Sequence, residues 1–135
     1  MNELFVDTGG WLATFNPRDQ HHRAAAAFYR EALRRYRRLV TTNLVVGETF
    51  ALLRRRSGLD VGLRFLQILE DSPRLEKLCS DQELETLSRD WLVGYRDQDF
   101  SFVDAVSFAL MKQRGLEEAF AFDVHFEVAG FRRLP

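Results

Sequence analysis

The apolar residues of this chain follow two kinds of pattern. Leu4-Phe5-Val6, Leu39-Val40 and Ala119-Phe120-Ala121-Phe122 are short unbroken runs with no polar residue alternating through them. Such runs predict strands buried on both faces, as in a parallel sheet covered by helices. Elsewhere the apolar residues recur at helical spacing. Trp11 to Phe15 reads as a short helix closed by Asn16-Pro17. An alanine-rich helix follows from Asp19 to about Arg38, with Ala25, Phe28, Tyr29, Ala32 and Leu33 on one face. After the second strand, Leu39 to Thr42, Asn43 is placed to cap a helix over Leu44 to Arg56 that Gly58 ends. Asp60 caps a further helix through Leu69, and Ser72-Pro73 breaks it. Leu75 to Cys79 predicts a third strand, which Glu76-Lys77 interrupt and so place at an edge. Ser80-Asp81-Gln82-Glu83 has the form of a capping box and opens a helix to about Tyr95.

The stretch from Phe100 to Phe126 carries the most information. Ser101 suits a helix N-cap, Phe102, Val103, Val106, Ala109 and Leu110 keep helical spacing, and Gly115 supplies the stop. The strand Ala119 to Phe122 then ends abruptly at Asp123, and Phe131 to Leu134 adds a last short strand. These elements predict a three-layer α/β domain with a mostly parallel sheet.

Lengths place several acids together. A helix over Phe102 to Gln113 rises roughly 18 Å, and the returning segment Glu118 to Asp123 covers about 20 Å. Asp104, in the helix's first turn, and Asp123, at the strand's carboxyl end, therefore face one edge of the sheet. Ligands of open α/β sheets bind at that edge. Asp7 ends the first strand, which puts it at the same edge. Glu48 lies about one turn into a helix that follows a strand, sharing a face with Leu44, Ala51 and Leu52.

Four carboxylates meeting at one rim repel one another, and burial disfavours their charge. A divalent cation relieves both costs, and magnesium or manganese takes such hard oxygen donors. Each acid also has a structural explanation. Asp104 stands three residues after Ser101, the capping-box spacing, and Asp7 and Asp123 could simply terminate strands. Glu48 is hardest to explain that way, because an unpaired glutamate on an apolar helix face is costly.

Composition narrows the class. At 135 residues, 46% apolar and 29% charged, residues 1–135 form one globular domain with a real core. The single cysteine, Cys79, excludes an internal disulfide and a cysteine-based zinc site. The start lacks a basic segment followed by an apolar one, and no run approaches membrane-spanning length, so a reducing cytoplasm is the expected location. Net charge is −1, which argues against strong nonspecific nucleic-acid binding. Of the 19 basic residues, 17 are arginines, clustered at 34–38 and 54–56. They read as solvated helix faces, or as forks for phosphate. His21 and His22 read as surface residues and His125 as a polar turn residue that could assist the acids.

FVDTGGW, TTNLVVGETFALL, FSFVDAVSFALM and AFAFDVHFEVAGF, in that order, resemble the PIN-domain ribonucleases, above all the VapC-type toxins of toxin–antitoxin modules. The resemblance spans essentially the whole chain. It implies a five-stranded, mostly parallel sheet in an α/β/α PIN-like domain and a magnesium- or manganese-dependent endoribonuclease. It also implies Asp7, Glu48, Asp104 and Asp123 as the catalytic, metal-binding acids. The implied partners are an RNA substrate, a small antitoxin that occupies the active-site groove, and a second copy in a homodimer, with no membrane. Gly9 departs from the family, which often has serine or asparagine after Asp-Thr, and Asp99 is an extra acid outside the core set. Rim arginines and a single-stranded or looped RNA are the expected means of binding. The apolar helices Ala24–Leu33 and Leu63–Leu69 are the expected dimer faces.

Three other readings compete. A haloacid-dehalogenase phosphatase needs an aspartate two residues after the strand-ending one, where this chain has Gly9. A phospho-receiver domain needs a lysine near the last strands, and Lys112 sits in the wrong half of its helix. A catalytically silent PIN-like domain acting as an RNA- or protein-binding module usually loses one or more acids, and this chain keeps all four.

Overall fold

A computed structural model describes residues 2–135. The chain runs β1 (Glu3–Val6), α1 (Thr8–Phe15), α2 (His22–Arg35), β2 (Arg38–Thr42), α3 (Asn43–Ser57), α4 (Leu59–Asp71), β3 (Leu75–Leu78), α5 (Gln82–Gly94), α6 (Phe102–Arg114), β4 (Glu118–Phe120), α7 (His125–Val128) and β5 (Arg132–Leu134). The sheet order is β3-β2-β1-β4-β5, and every neighbouring pair is parallel. The sheet is thus wholly parallel where the sequence predicts a mostly parallel one. A parallel step from β4 to β5 needs a crossover. Residues 121–131 provide it and coil into α7, a helix that no sequence periodicity predicts. The edge position expected for β3 is the one observed.

The unbroken apolar runs are central because both of their faces are covered. Leu4, Phe5 and Val6 are fully buried, as are Val40, Ala119 and Phe120. Successive strand residues point to opposite faces, and the aromatic contacts divide accordingly. Phe120 meets Phe28 edge-on at 4.8 Å on one side, where Trp11, Phe15, Tyr29 and Phe65 also cluster. Phe5 meets Phe126 on the other, where Phe126 packs on Phe108 at 5.0 Å and Phe108 on Phe100 at 4.9 Å. Helices on both faces make the three layers.

Several boundaries differ from the sequence reading for identifiable reasons. Thr42 caps α3, its Oγ1 accepting the Val45 N–H at 3.1 Å, while Asn43 Oδ1 instead accepts the Ser80 N–H. Asp81, not Ser80, caps α5 through the Leu84 N–H. Gly58 takes φ +98° and lets α4 begin at Leu59, so Asp60 falls within the first turn. By contrast, the Ser101 cap and the Gly115 stop of α6 stand where expected, with Gly115 left-handed at φ +73°.

The two edges of the sheet are chemically opposite. At the amino edge the buried Glu3 is bridged to Glu76 by the Arg114 guanidinium, at 3.0 and 2.8 Å, and Arg38 adds a bond of 2.8 Å to Glu76. Arg114 holds the Glu3 and Glu76 carboxyls below their ordinary range, outweighing the burial that raises them. Arg37 and Arg38, from the first arginine cluster, therefore serve this edge and not the acid rim. The two apolar helices expected as dimer faces differ in exposure. α2 turns Ala25, Phe28 and Ala32 into the core, whereas α4 leaves Leu59 and Leu63 exposed. No described helix is long and apolar enough to cross a membrane.

Candidate active site

The carboxyl edge is built by backbone fit. The Asp7 N–H donates to the Phe120 carbonyl at 3.0 Å, continuing the β1–β4 pairing one residue beyond the strand. α1 then starts over the end of β4 so closely that a Cβ on Gly10 would lie 2.6 Å from the Phe120 oxygen. Thr41 Oγ1 donates to the Val6 carbonyl at 3.0 Å and fixes β2 beside it. Asp7 precedes α1 in extended conformation, yet its side chain caps nothing. Its carboxylate is free to face the rim.

Asp104 does two things at once. It completes the capping box of α6, with the Asp104 N–H donating to Ser101 Oγ and the Ser101 N–H donating to Asp104 Oδ2, each at 3.0 Å. The structural reading of Asp104 is therefore correct and does not exclude the functional one, since Oδ1 is uncommitted and Oδ2, bonded to one N–H, keeps a further lone pair. Asp123 follows β4 by three residues and accepts the His125 N–H on Oδ1 at 2.9 Å.

Glu48 corrects the sequence reading. It is solvent-exposed, at the margin of the helix face it shares with Leu44, Ala51 and Leu52, of which Leu44 and Leu52 reach the core. The face toward the core carries Val45, Val46, Thr49 and Leu53. Glu48 is not an unpaired acid among apolar side chains, because Thr8 Oγ1 donates to its Oε1 at 2.6 Å. That bond joins the head of α1 to α3 and brings Glu48 to the edge where Asp7 ends β1.

The electrostatics record how close the four acids come. The Asp7 carboxyl is pushed up from its ordinary 3.8 to about 7, first by burial and then by the charges of Asp104, Asp123 and Glu48, against a lowering by the Thr8 backbone N–H. The charges of the other three predicted acids thus reach Asp7 at the rim. Their exposure is graded: Asp7 and Asp104 are buried, Asp123 is half-buried and Glu48 is exposed. Asp99 is also exposed and stays outside the set.

The metal-donor group found among the described residues includes His125, which the sequence offers as a turn residue able to assist the acids. Donor atoms of Asp104, Asp123 and His125 lie within 4.8 Å of one another. His125 Nδ1 stands 3.3 Å from Asp104 Oδ2 and 3.4 Å from Asp123 Oδ1, and the Phe100 ring meets the imidazole edge-on at 5.1 Å. The signal was its spacing, two residues past a strand-ending aspartate. His21 lies at the surface as expected, stacked on Phe122 at 4.3 Å, whereas His22 is half-buried with its Nδ1 2.8 Å from the Ala13 carbonyl oxygen. Among the described residues no arginine or lysine pairs with any of the four acids. Hard oxygen donors on both sides of a buried, charge-disfavoured carboxyl fit a divalent cation.

A family model described as the PIN domain matches residues 4–132. This chain belongs to the PIN-domain family. Similar proteins sharpen the comparison. The 23S rRNA-specific endonuclease VapC20 of Mycobacterium tuberculosis is 38% identical over 129 residues, 95% of each chain. A crystal structure of the same organism's VapC20, described as a sarcin–ricin loop cleaving toxin, superposes with a TM-score of 0.87 at 35% identity, covering 95% of both chains. VapBC2 of Rickettsia felis, bound to a promoter DNA fragment, shares the fold with a TM-score of 0.72 at 10% identity, over 98% of this chain and 97% of that one.

Proposed function

We propose that this chain is a metal-dependent endoribonuclease of the VapC type, the toxin component of a type II toxin–antitoxin pair, acting as a single PIN-like nuclease domain. The observation that supports this reading is that Asp104 and Asp123 bring donor atoms together at the sheet edge where Asp7 is buried, with Glu48 tied by Thr8 near enough for its charge to act on Asp7. The 38% identity to a 23S rRNA-specific endonuclease supports RNA as the substrate, with a ribosomal RNA loop as the first candidate.

In this reading the four acids hold a magnesium or manganese ion. When bound, such an ion lowers the pKa of water and offsets negative charge on the phosphate. The chain's own groups set the stage for hydrolysis, in which water attacks phosphorus in line and one P–O ester bond breaks. Thr8 fixes the rotamer of Glu48, and the Ser101 N–H fixes that of Asp104. The His125 N–H fixes Asp123. Preorientation of this kind removes the need to reorganise carboxylates as the transition state forms.

The expected regulator is a small antitoxin seated in the groove beside these acids, in line with the solved VapBC relatives. A homodimer is the expected assembly, with the exposed Leu59 and Leu63 of α4 available to it, and the expected compartment is the cytoplasm. The silent binding-module alternative has no support from the site, since no acid is missing. An RNA hairpin with the sarcin–ricin loop sequence, incubated with protein and magnesium or manganese, tests the reading. Asp104→Asn should lower cleavage by at least about a hundredfold, in line with the loss of a positioned charge at a reaction centre, while circular dichroism stays unchanged. EDTA should stop the wild type. Full cleavage in either case refutes the proposed chemistry.

A further inference from the structure

His125 is the residue at this rim whose arrangement the four-acid reading leaves unexplained. Its Nδ1 faces two carboxylate oxygens at once, Asp104 Oδ2 at 3.3 Å and Asp123 Oδ1 at 3.4 Å. One ring nitrogen carries at most one proton, so it can serve both oxygens only as a long three-centre bond. Both separations also exceed the roughly 2.7–2.9 Å of a charge-assisted hydrogen bond. They match something else. Two donors each about 2.1 Å from a common ion, at an angle between octahedral and tetrahedral, lie about 3.0–3.4 Å apart.

The ring is held for such a role. Its own backbone N–H is tied to Asp123 Oδ1 at 2.9 Å, and the Phe100 ring packs edge-on against it at an interplanar angle of 70°. The helix α7 that carries it is anchored by the fully buried Phe126. Asp104 Oδ2 keeps its bond from the Ser101 N–H, the usual outer support of a ligating carboxylate.

We propose that His125 Nδ1 is a third ligand, with Asp104 and Asp123, of the cation at this rim, giving a mixed nitrogen–oxygen site that favours a first-row transition ion such as manganese over magnesium. This deepens the nuclease reading above and rests on its metal site. Magnesium demands oxygen donors and keeps its waters, whereas imidazole nitrogen is a good ligand for transition ions. An acid at this position would complete an all-oxygen site. The histidine shifts the selectivity.

The test is made on RNA-free protein. Manganese(II) is added to wild type, His125→Gln and His125→Asp, and pulsed EPR reads the coupling of the ion to nitrogen-14. Calorimetric titration of manganese and of magnesium is done in parallel. Wild type should show a directly coordinated nitrogen that both variants lose. Manganese affinity should fall about tenfold or more in His125→Gln, magnesium affinity several-fold less, and His125→Asp should recover magnesium binding. Bound manganese without a nitrogen coupling in wild type overturns the proposal, and that reading needs no variant to fold. Equal loss of both metals in a folded His125→Gln overturns it too. Either result, in a wild type that still cuts RNA with metal, leaves the nuclease reading standing. A wild type that binds neither ion overturns both.

Discussion

Asp7 makes the metal-free protein unstable in a way that can be measured. Its carboxyl stands at about 7 in the folded chain against 3.8 ordinarily, chiefly because it is buried. Between those values the folded state holds a proton that the unfolded state releases, so stability falls as pH rises from about 4 to about 7. The full difference corresponds to about 4 kcal/mol. Asp7→Asn replaces the carboxylate with a neutral group of the same shape and removes this loss. The buried amide still lacks good partners, so a gain of about 2–4 kcal/mol above pH 7 is expected. That is a rise in melting temperature of about 10 °C for a domain of this size. Thermal unfolding by circular dichroism in EDTA, at pH 4 and pH 8, reads the effect as the difference between variant and wild type. The two should melt together at pH 4, and the variant should be the more stable at pH 8 while having lost cleavage. Adding manganese at pH 8 should raise the wild type far more than the variant. A variant less stable than wild type at pH 8 without metal would refute the claim that burial and the neighbouring acids strain this carboxylate.

Three further outcomes follow from particular contacts. Thr8→Val removes the hydroxyl that orients Glu48, and should weaken metal binding by about 10–100-fold. Unfolding temperature in EDTA should barely change; unchanged metal affinity by calorimetry would show that the bond is incidental. Gly10→Ala sets a methyl 2.6 Å from the Phe120 carbonyl, a backbone atom that cannot swing aside. A loss of about 1–3 kcal/mol in urea unfolding is expected, and an unperturbed midpoint would contradict the close approach of α1 to β4. At the amino edge the sign of the pH effect reverses. Arg114 holds Glu3 and Glu76 below the ordinary 4.5, so their stabilisation is present above that value and lost as pH falls further. Arg114→Met should reduce that acid-side dependence to the smaller part held by Arg37 and Arg38, which a denaturation series from pH 5 to pH 2.5 would reveal.

The strands and the capped helix α6 were legible because their signals are local. An unbroken apolar run can be satisfied only by cover on both faces, and a serine cap and a left-handed glycine mark helix ends wherever they occur. Asp7, Asp104 and Asp123 could be placed at one edge for the same reason, as each sits at a fixed offset from a strand or helix end in a parallel layer. The cap of α3 was misread because Thr42 and Asn43 are both competent. Only the arrival of Ser80 from another segment, which engages Asn43, decides between them.

The sequence by itself determined the alternation of buried strands and helices, and with it the edge at which the acids gather, since chain direction in a parallel sheet leaves no choice of side. Tertiary structure decided what surrounds those acids. Periodicity gave Glu48 an apolar face but could not show that Glu48 lies at its exposed margin while Leu44 and Leu52 reach the core, because that depends on which side of α3 the rest of the chain covers. Nothing local foretold the four-residue helix α7. It forms only where the crossover from β4 to β5 must bury Phe126, and that same turn carries the His125 ring onto two aspartates.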